Sequence, residues 1–504
     1  MRGLVDLRKV CILYWLGGAE PSPSDFGARR EDEETRRIKS VRRMWNEEKT
    51  TPRVRPSGVE DAPPPSSSER DKTPLERARE ALRRDGESTR QVGRRLESLG
   101  RQALFATGVG LTAGVVGAAF QTSMNAASRW FAANYAGGFP WALLFLPAVG
   151  LAIVYLYNAA RLSVDAGTDR VVASLTSEKK ASLWLGPLIF LTSTLTQLCG
   201  GSAGREGAAL QLGGCVGLGA GRLFRLDATA LKIVILCGMS GGFAAVFGTP
   251  LAATVFALEI ACVGVVYYPA LTPALIAALV GSAIPASLGL APFHYELPDF
   301  PETSIALVGR TLLFGALCGA VCVFFCATVR RTTRSFFARF PNDYIRVAFG
   351  AFCVIVGTLA LGTNAYNGTG IGLVEEALAG RAAPDAFFWK TVLTAVTLGA
   401  GFKGGEIVPV FSVGATFGCV AGGALGIDPT LGAALGMIGV FCGATNCPLT
   451  SIVLSVELFG EQNAILFAIV CGVGFATSGR VGLYRSQRIL YSKIAMGKED
   501  ERTM

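Results

Sequence analysis

The chain has 504 residues, 51% of them hydrophobic and only 17% charged, with a formal net charge of +9. Residues 1–100 hold 22 Lys+Arg and 18 Asp+Glu, so 40 of the 85 charges crowd into the first fifth, and the rest falls far below the roughly 25% charge of a soluble domain. With a mean hydropathy of +0.43, this balance argues against a soluble enzyme, a nucleic-acid binder or a secreted disulfide scaffold, and places the chain beyond residue 100 in a membrane.

Residues 1–98 read as a disordered, charged extension around Ala62-Pro63-Pro64-Pro65-Ser66-Ser67-Ser68, because so polar a segment cannot bury enough apolar surface to fold alone. Within it, Val10–Leu16 is short for a targeting signal, and Arg77–Leu99 suits a charged helix leading into the membrane. Helices are expected over 102–123, 139–160, 183–200, 206–224, 229–247, 250–268, 269–290, 303–329, 345–361, 387–400, 407–424, 430–444, 449–460 and 463–478, with a last helix from Tyr484. The membrane domain spans 99–495, in halves of about 102–290 and 303–495, before a short polar tail at 496–504. Several spans are shorter than the ~20 residues that cross a bilayer and are broken by Gly or Pro, as expected where helices stop mid-membrane at a binding site.

Arg330, Arg331, Arg334, Arg339 and Arg346 form a basic connection, whereas Glu296, Asp299 and Glu302 form an acidic one. The basic connection and both termini should be cytoplasmic. The 13 Cys include no CxxC pair and there is one His, His294, so the thiols read as packing residues and neither a metal site nor a cofactor is expected.

Residues 239–260 and 437–458 align without a gap at an offset of 198, sharing Met239/Met437, Gly241/Gly439, Phe243/Phe441, Pro250/Pro448, Leu251/Leu449, Val255/Val453 and Glu259/Glu457. A Gly-rich element precedes each copy, at 200–214 and 401–418. A repeat of this length suggests two structural halves with a site between them.

Each Gly-rich element carries a carboxylate at the start of an apolar helix, Glu206 in Gly204-Arg205-Glu206-Gly207 and Glu406 in Gly404-Gly405-Glu406-Ile407. Glycine lets backbone N–H groups approach a ligand, and a helix N-terminus carries partial positive charge. Two such termini meeting at mid-membrane make an anion site from the N–H donors of Gly204, Arg205, Gly207 and Gly405. A carboxylate there occupies the site when ionised and leaves it when protonated, which couples protons to anions. Capping for Glu206 and solvent exposure for Glu406 are the bland alternatives, but an intramembrane carboxylate is costly unless used.

With GREGAALQLGG at 204–214, TPLAATVFALE at 249–259 and GGEIVP at 404–409, the chain resembles the CLC family of chloride channels and anion/proton antiporters over about residues 102–495. The resemblance implies an all-α integral membrane fold of two inverted repeats with tilted and broken helices, homodimers with one pore per subunit, and no enzymatic activity. It implies an external gating role for Glu206, and anion contacts from Ile407, Val408 and the pore residue Tyr484. The chloride-type Ser is missing from Asp165-Ala166-Gly167-Thr168-Asp169, Ile407 replaces the usual Phe, and Ile260 stands where exchangers carry a proton glutamate. Those departures, with Glu406, are similar to the fluoride/proton antiporter branch, although Val408 replaces its Thr. The expected function is a proton-coupled antiporter exporting fluoride. The alternatives are a chloride channel or chloride/proton antiporter and, more remotely, a membrane-embedded enzyme, against which the single His and the lack of a catalytic cluster speak.

Overall fold

The computed structural model describes residues 74–135, 141–162, 182–290, 293–298, 304–491, 493 and 498–502. The expectations for residues 1–73, for Asp165–Asp169, for Asp299 and Glu302, and for most of the 496–504 tail lie outside them. Two compact units divide the chain, Met1–Ser88 and Thr89–Met504. Of the first, only the helical stretch from Pro74 is described.

The helices in chain order are α1 (Pro74–Tyr135), α2 (Trp141–Leu144), α3 (Leu146–Ala159), α4 (Leu185–Leu198), α5 (Glu206–Leu223), α6 (Ala228–Phe247), α7 (Pro250–Glu259) and α8 (Leu271–Ser287), then α9 (Ile305–Arg339), α10 (Asp343–Leu361), α11 (Ile371–Leu378), α12 (Ala386–Ala400), α13 (Ile407–Ala424), α14 (Pro429–Thr445), α15 (Pro448–Phe459) and α16 (Ala464–Thr477). Among the described residues, six helical stretches are long and apolar enough to cross a membrane: Leu99–Tyr135, Ala228–Phe247, Tyr268–Ser287, Ile305–Arg339, Asp343–Leu361 and Ile407–Ala424. The others are the short, interrupted helices that the Gly/Pro pattern predicts.

Three expectations need correction. No helix starts at Tyr484; the chain turns there and forms β2 (Arg488–Tyr491), which pairs in parallel with β1 (Cys262–Val263) and antiparallel with β3 (Lys498–Arg502). The β-favouring run Ile489-Leu490-Tyr491 finds a backbone partner just past the end of α7 and extends instead of coiling. The Arg-rich connection is itself mostly helix: Arg330, Arg331, Arg334 and Arg339 ride on the last turns of α9, and Arg346 lies on α10. The span expected over 250–268 ends at Glu259.

The internal repeat is longer than the sequence alignment indicates, and it is cross-linked. Gly200 and Gly401, 201 residues apart, both leave their helices at positive φ (75° and 113°). Just beyond, the Ser202 N–H donates to Thr397 Oγ1 (3.1 Å), and the Lys403 N–H donates to Thr196 Oγ1 (3.4 Å). These contacts are equivalent under the same offset, so each half supplies the hydroxyl that the other half's loop needs. Asp227 and Asp428 then cap α6 and α14 with their carboxylates, as their place before an apolar helix dictates.

Helix α14 has 17 residues against 20 for α6, which changes the offset from 201 to 198. Both helices end in the left-handed region, at Gly248 and Asn446, and a proline opens the next helix in each half.

A second reciprocal link follows. Glu259, at the end of α7, accepts the N–H groups of Leu449 (3.2 Å) and Thr450 (2.9 Å) and the Thr450 hydroxyl (2.6 Å). Glu457, on α15, accepts those of Leu251 (2.9 Å) and Ala252 (2.7 Å). Each repeat's glutamate therefore satisfies the orphan donors at the start of the other repeat's helix, where the positive dipole end favours a carboxylate. The two matched glutamates are a structural lock between the halves.

This reciprocity gives the first prediction. Glu259→Ala strands three donors, all but Leu449 N on buried groups, and should lower stability by about 2–3 kcal/mol. Glu457→Ala strands two donors at a half-buried site and should cost less. Thermal unfolding of both variants in detergent checks the order.

Candidate functional site

The Gly-rich elements meet backbone to backbone. The Gly204 N–H donates to the Gly405 carbonyl (2.6 Å) and the Gly405 N–H to the Gly204 carbonyl (2.7 Å), a single antiparallel bridge. No side chain fits between them. A Cβ on Gly405 would lie 2.6 Å from the Gly207 nitrogen, and one on Gly204 would lie 2.9 Å from Pro409 Cδ. The bridge therefore holds the N-termini of α5 and α13 against each other at the centre of the fold.

Behind this contact, α5 packs on α6 and α13 on α14 through glycine stripes. A Cβ on Gly213 would sit 2.0 Å from the Gly238 carbonyl, and one on Gly418 would sit 2.2 Å from that of Gly432. Such close approach keeps the two helix starts in fixed positions.

Glu206 is the first residue of α5 and is 0% exposed. Its carboxylate accepts from the Arg205 backbone N–H (3.1 Å) and from Arg205 Nε (3.2 Å). The buried Arg205 guanidinium also donates to Asn125 Oδ1 on α1 (2.5 Å), and lies 5.0 Å from the centre of the Phe293 ring.

Glu406 does not occupy the equivalent place. It is the residue before α13, half-buried, and makes no side-chain cap. Bridge pairing of Gly204 with Gly405 makes Glu406 the counterpart of Arg205, and the buried Ile407 the counterpart of Glu206. The two carboxylates thus sit one residue apart in the symmetry. Val408 is buried one residue further on. Tyr484 is 1% exposed and belongs to the same apolar core as Ile407 and Val408, in a turn tied to the end of α14 by the Leu483 N–H and the Ala444 carbonyl (2.8 Å).

Sequence reasoning missed Lys390. It is 0% exposed on α12, and its ammonium donates to Ser202 Oγ (3.0 Å) and to the carbonyls of Tyr366 (3.1 Å) and Gly368 (2.8 Å). Ser202 lies two residues before Gly204, and the Ala203 N–H donates to the same Gly368 carbonyl (3.1 Å). Asn367 completes the brace by donating to the Gly200 carbonyl (2.7 Å). The missed signal was simple: Lys390 is the sole charge in the apolar run Ala386–Ala400, and an intramembrane cation points to function. Arg205 and Lys390 are the cationic side chains tied to this region, with Glu206 and Glu406 as its carboxylates.

The family model described as "Voltage gated chloride channel" matches residues 149–479. The chain belongs to the CLC family. A chloride/fluoride channel protein from Pseudomonas syringae pv. tomato is 34% identical over 393 residues, covering 76% of this chain and 86% of that protein. The H(+)/Cl(-) exchange transporter ClcA of Vibrio campbellii is 26% identical over 396 residues, 73% of this chain and 83% of that one. The crystal structure of a CLC-type fluoride/proton antiporter superposes with a TM-score of 0.74 at 33% identity, over 78% of this chain and 98% of that structure. A slow cyanobacterial Cl-/H+ antiporter shares the fold at 22% identity and a TM-score of 0.65, over 75% of this chain and 94% of that structure. The chain is thus a multi-pass membrane protein with the CLC arrangement of repeats.

The bridge of this CLC protein can be probed directly. Gly405→Ala drives a methyl group into the Gly207 backbone, so the helix starts must separate. An overpacking cost of about 1–3 kcal/mol is expected, together with loss of anion flux from reconstituted liposomes. Gly372→Ala, whose Cβ would meet nothing within 4 Å, should retain flux.

Proposed function

We propose that this CLC protein is a proton-coupled antiporter that exports fluoride. The observation that carries the reading is the Gly204–Gly405 bridge, which holds two helix N-termini and their N–H donors beside the buried Glu206. The names of two similar proteins, a chloride/fluoride channel protein and a CLC-type fluoride/proton antiporter, support the ion. The bridge uses the Gly204 and Gly405 N–H groups on each other, so those two glycines position the site, and the anion is held by the N–H donors of Arg205, once Glu206 releases it, and Gly207, with walls at Ile407, Val408 and Tyr484.

Ionised Glu206 is a competitor for the anion and takes the Arg205 N–H and Nε donors. Protonation weakens both hydrogen bonds, because a neutral acid is a poorer acceptor than a carboxylate. The side chain then leaves, the anion enters, and one proton has been loaded. Glu406 places a second carboxylate beside the path. It disfavours a large, weakly basic anion, whereas fluoride, a strong hydrogen-bond acceptor, can share a proton with a carboxylic acid.

Val408 favours a second reading. It lacks the hydroxyl that would donate to the ion, and one relative is named as a H(+)/Cl(-) exchange transporter, so chloride is the competing substrate.

The basic end, with Arg330 to Arg346, and both termini lie on the cytoplasmic side. The acidic connection with Glu296 lies outside. Exposed apolar residues on α7, α8, α15 and α16, among them Leu251 (49%), Leu279 (49%), Leu449 (51%) and Ile465 (67%), fit a homodimer with one pore per subunit.

Reconstituted liposomes test this reading with fluoride and chloride side by side. Wild type should move fluoride in preference and carry protons the other way. Glu206→Gln should keep anion passage or lose its pH dependence, while abolishing fluoride-driven proton movement. Glu406→Ala should cut fluoride/proton exchange by at least about tenfold, the scale of one lost site interaction. Equal fluoride and chloride flux with a silent Glu406→Ala would leave a chloride-type transporter.

A further inference from the structure

The described part of the connection between the halves, residues 293–298, alternates strictly. Phe293, Tyr295 and Leu297 are partly buried, whereas His294, Glu296 and Pro298 are exposed. The segment is extended, with one face turned into the protein. It is tied to both halves: the Phe293 N–H donates to the Phe247 carbonyl at the end of α6 (3.3 Å), and the Tyr295 N–H donates to the Leu458 carbonyl at the end of α15 (2.9 Å).

Its inward rings lie over the site. Phe293 carries the Arg205 guanidinium on one side and packs on Phe247 (4.9 Å between ring centres). Phe247 in turn packs on Phe411 of α13 (5.6 Å). Tyr295 stacks between Phe293 and Phe459. Burial and then the charges of Glu375 and Glu206 hold the Tyr295 hydroxyl well above its ordinary pKa, so it stays a protonated donor.

Phe293, Tyr295 and Phe247 enclose a cavity with Val408, Phe411 and Met437. Val408 belongs to the first turn of α13, so the cavity adjoins the proposed anion path. It leaves about 10 Å³ for the centre of a water-sized sphere, roughly the room of one water molecule. Fluoride is close to water in size, and chloride is clearly larger. The walls are four aromatic rings together with Ile371, Val374, Val408 and Met437, which widen only by displacing packed neighbours.

We propose that Phe293 and Tyr295 form an outer aromatic constriction whose width selects a water-sized anion over a larger one. This inference rests on the anion-transport reading of the adjacent site. It assigns to the connection between the halves a part of the selectivity that the residues at the helix starts, with Val408 lacking a hydroxyl, do not supply.

The test is the ratio of chloride to fluoride flux from liposomes containing the full chain, read with ion-selective electrodes alongside proton uptake. Phe293→Ala and Tyr295→Ala should each raise that ratio by at least about tenfold, the discrimination that a small change of pocket size produces. Proton movement driven by fluoride should persist, since Glu206 and Glu406 remain. Tyr295→Phe keeps the ring and should keep the wild-type ratio. If an alanine variant at the connection does not fold, Met437→Ala opens the same cavity from another of its lining residues and should raise the ratio likewise. Wild-type ratios in the folded alanine variants would overturn the constriction while leaving the antiporter reading intact. A wild type that moves no protons with fluoride would overturn the antiporter reading, and the flux ratio would still decide the constriction.

Discussion

A backbone N–H or C=O in a membrane interior has no water to turn to, and each one left unpaired costs several kcal/mol. This protein breaks its helices twice, at residues 199–205 and 401–406, and so frees two sets of such groups. The structure resolves the problem by making each break the partner of the other. Gly204 and Gly405 exchange both of their hydrogen bonds, and the Thr196 and Thr397 hydroxyls take the Lys403 and Ser202 N–H groups. Neither half is satisfied alone. The site is where two incomplete backbones complete each other, with helix N-termini left facing inward as the surplus donors.

The same constraint accounts for the charges. A site of backbone dipoles needs little formal charge, and a buried charge is tolerated only when fully hydrogen-bonded. Lys390 meets that condition with three oxygen acceptors from two different loops. It is therefore a strut behind the bridge. Arg205 meets the condition through Glu206 and Asn125. Its ion pair holds the Glu206 carboxylate in place, so the carboxylate and its counter-charge are adjacent in sequence.

Much of this was legible in the sequence because periodicity, Gly/Pro breaks and repeat matching all report on backbone geometry. Helices α5 and α13 begin within one residue of the expected positions, and the Pro-Leu…Glu match marks the two helices that prove to cap each other. The reciprocal caps themselves were not legible, since nothing in one copy says that its glutamate reaches the other. Tyr484 failed for a related reason: whether Arg488–Tyr491 coils or extends depends on an edge offered by Cys262–Val263, more than 200 residues away. Lys390 was visible as a charge in an apolar helix but carried no motif, because its partners are backbone carbonyls whose identity the side chains do not encode.

The scaffold is nearly two-fold symmetric, yet the transport step needs direction, and the residues at the helix starts supply the difference. Under the offset that pairs Gly204 with Gly405, Arg205 corresponds to Glu406 and Glu206 to Ile407. A cation and a carboxylate follow the bridge in one half; a carboxylate and an apolar residue follow it in the other. Exact repetition would place two equivalent gates in one pore, each repelling the other's ionised form. Shifting the second carboxylate one residue toward the bridge moves it off the first turn of α13 and out of the position Glu206 holds on α5. One carboxylate is then gripped by an arginine and fully buried, and the other is half-buried just before its helix. The two acids thus sit in different surroundings, an asymmetry that the proposed proton coupling would draw from a symmetric fold.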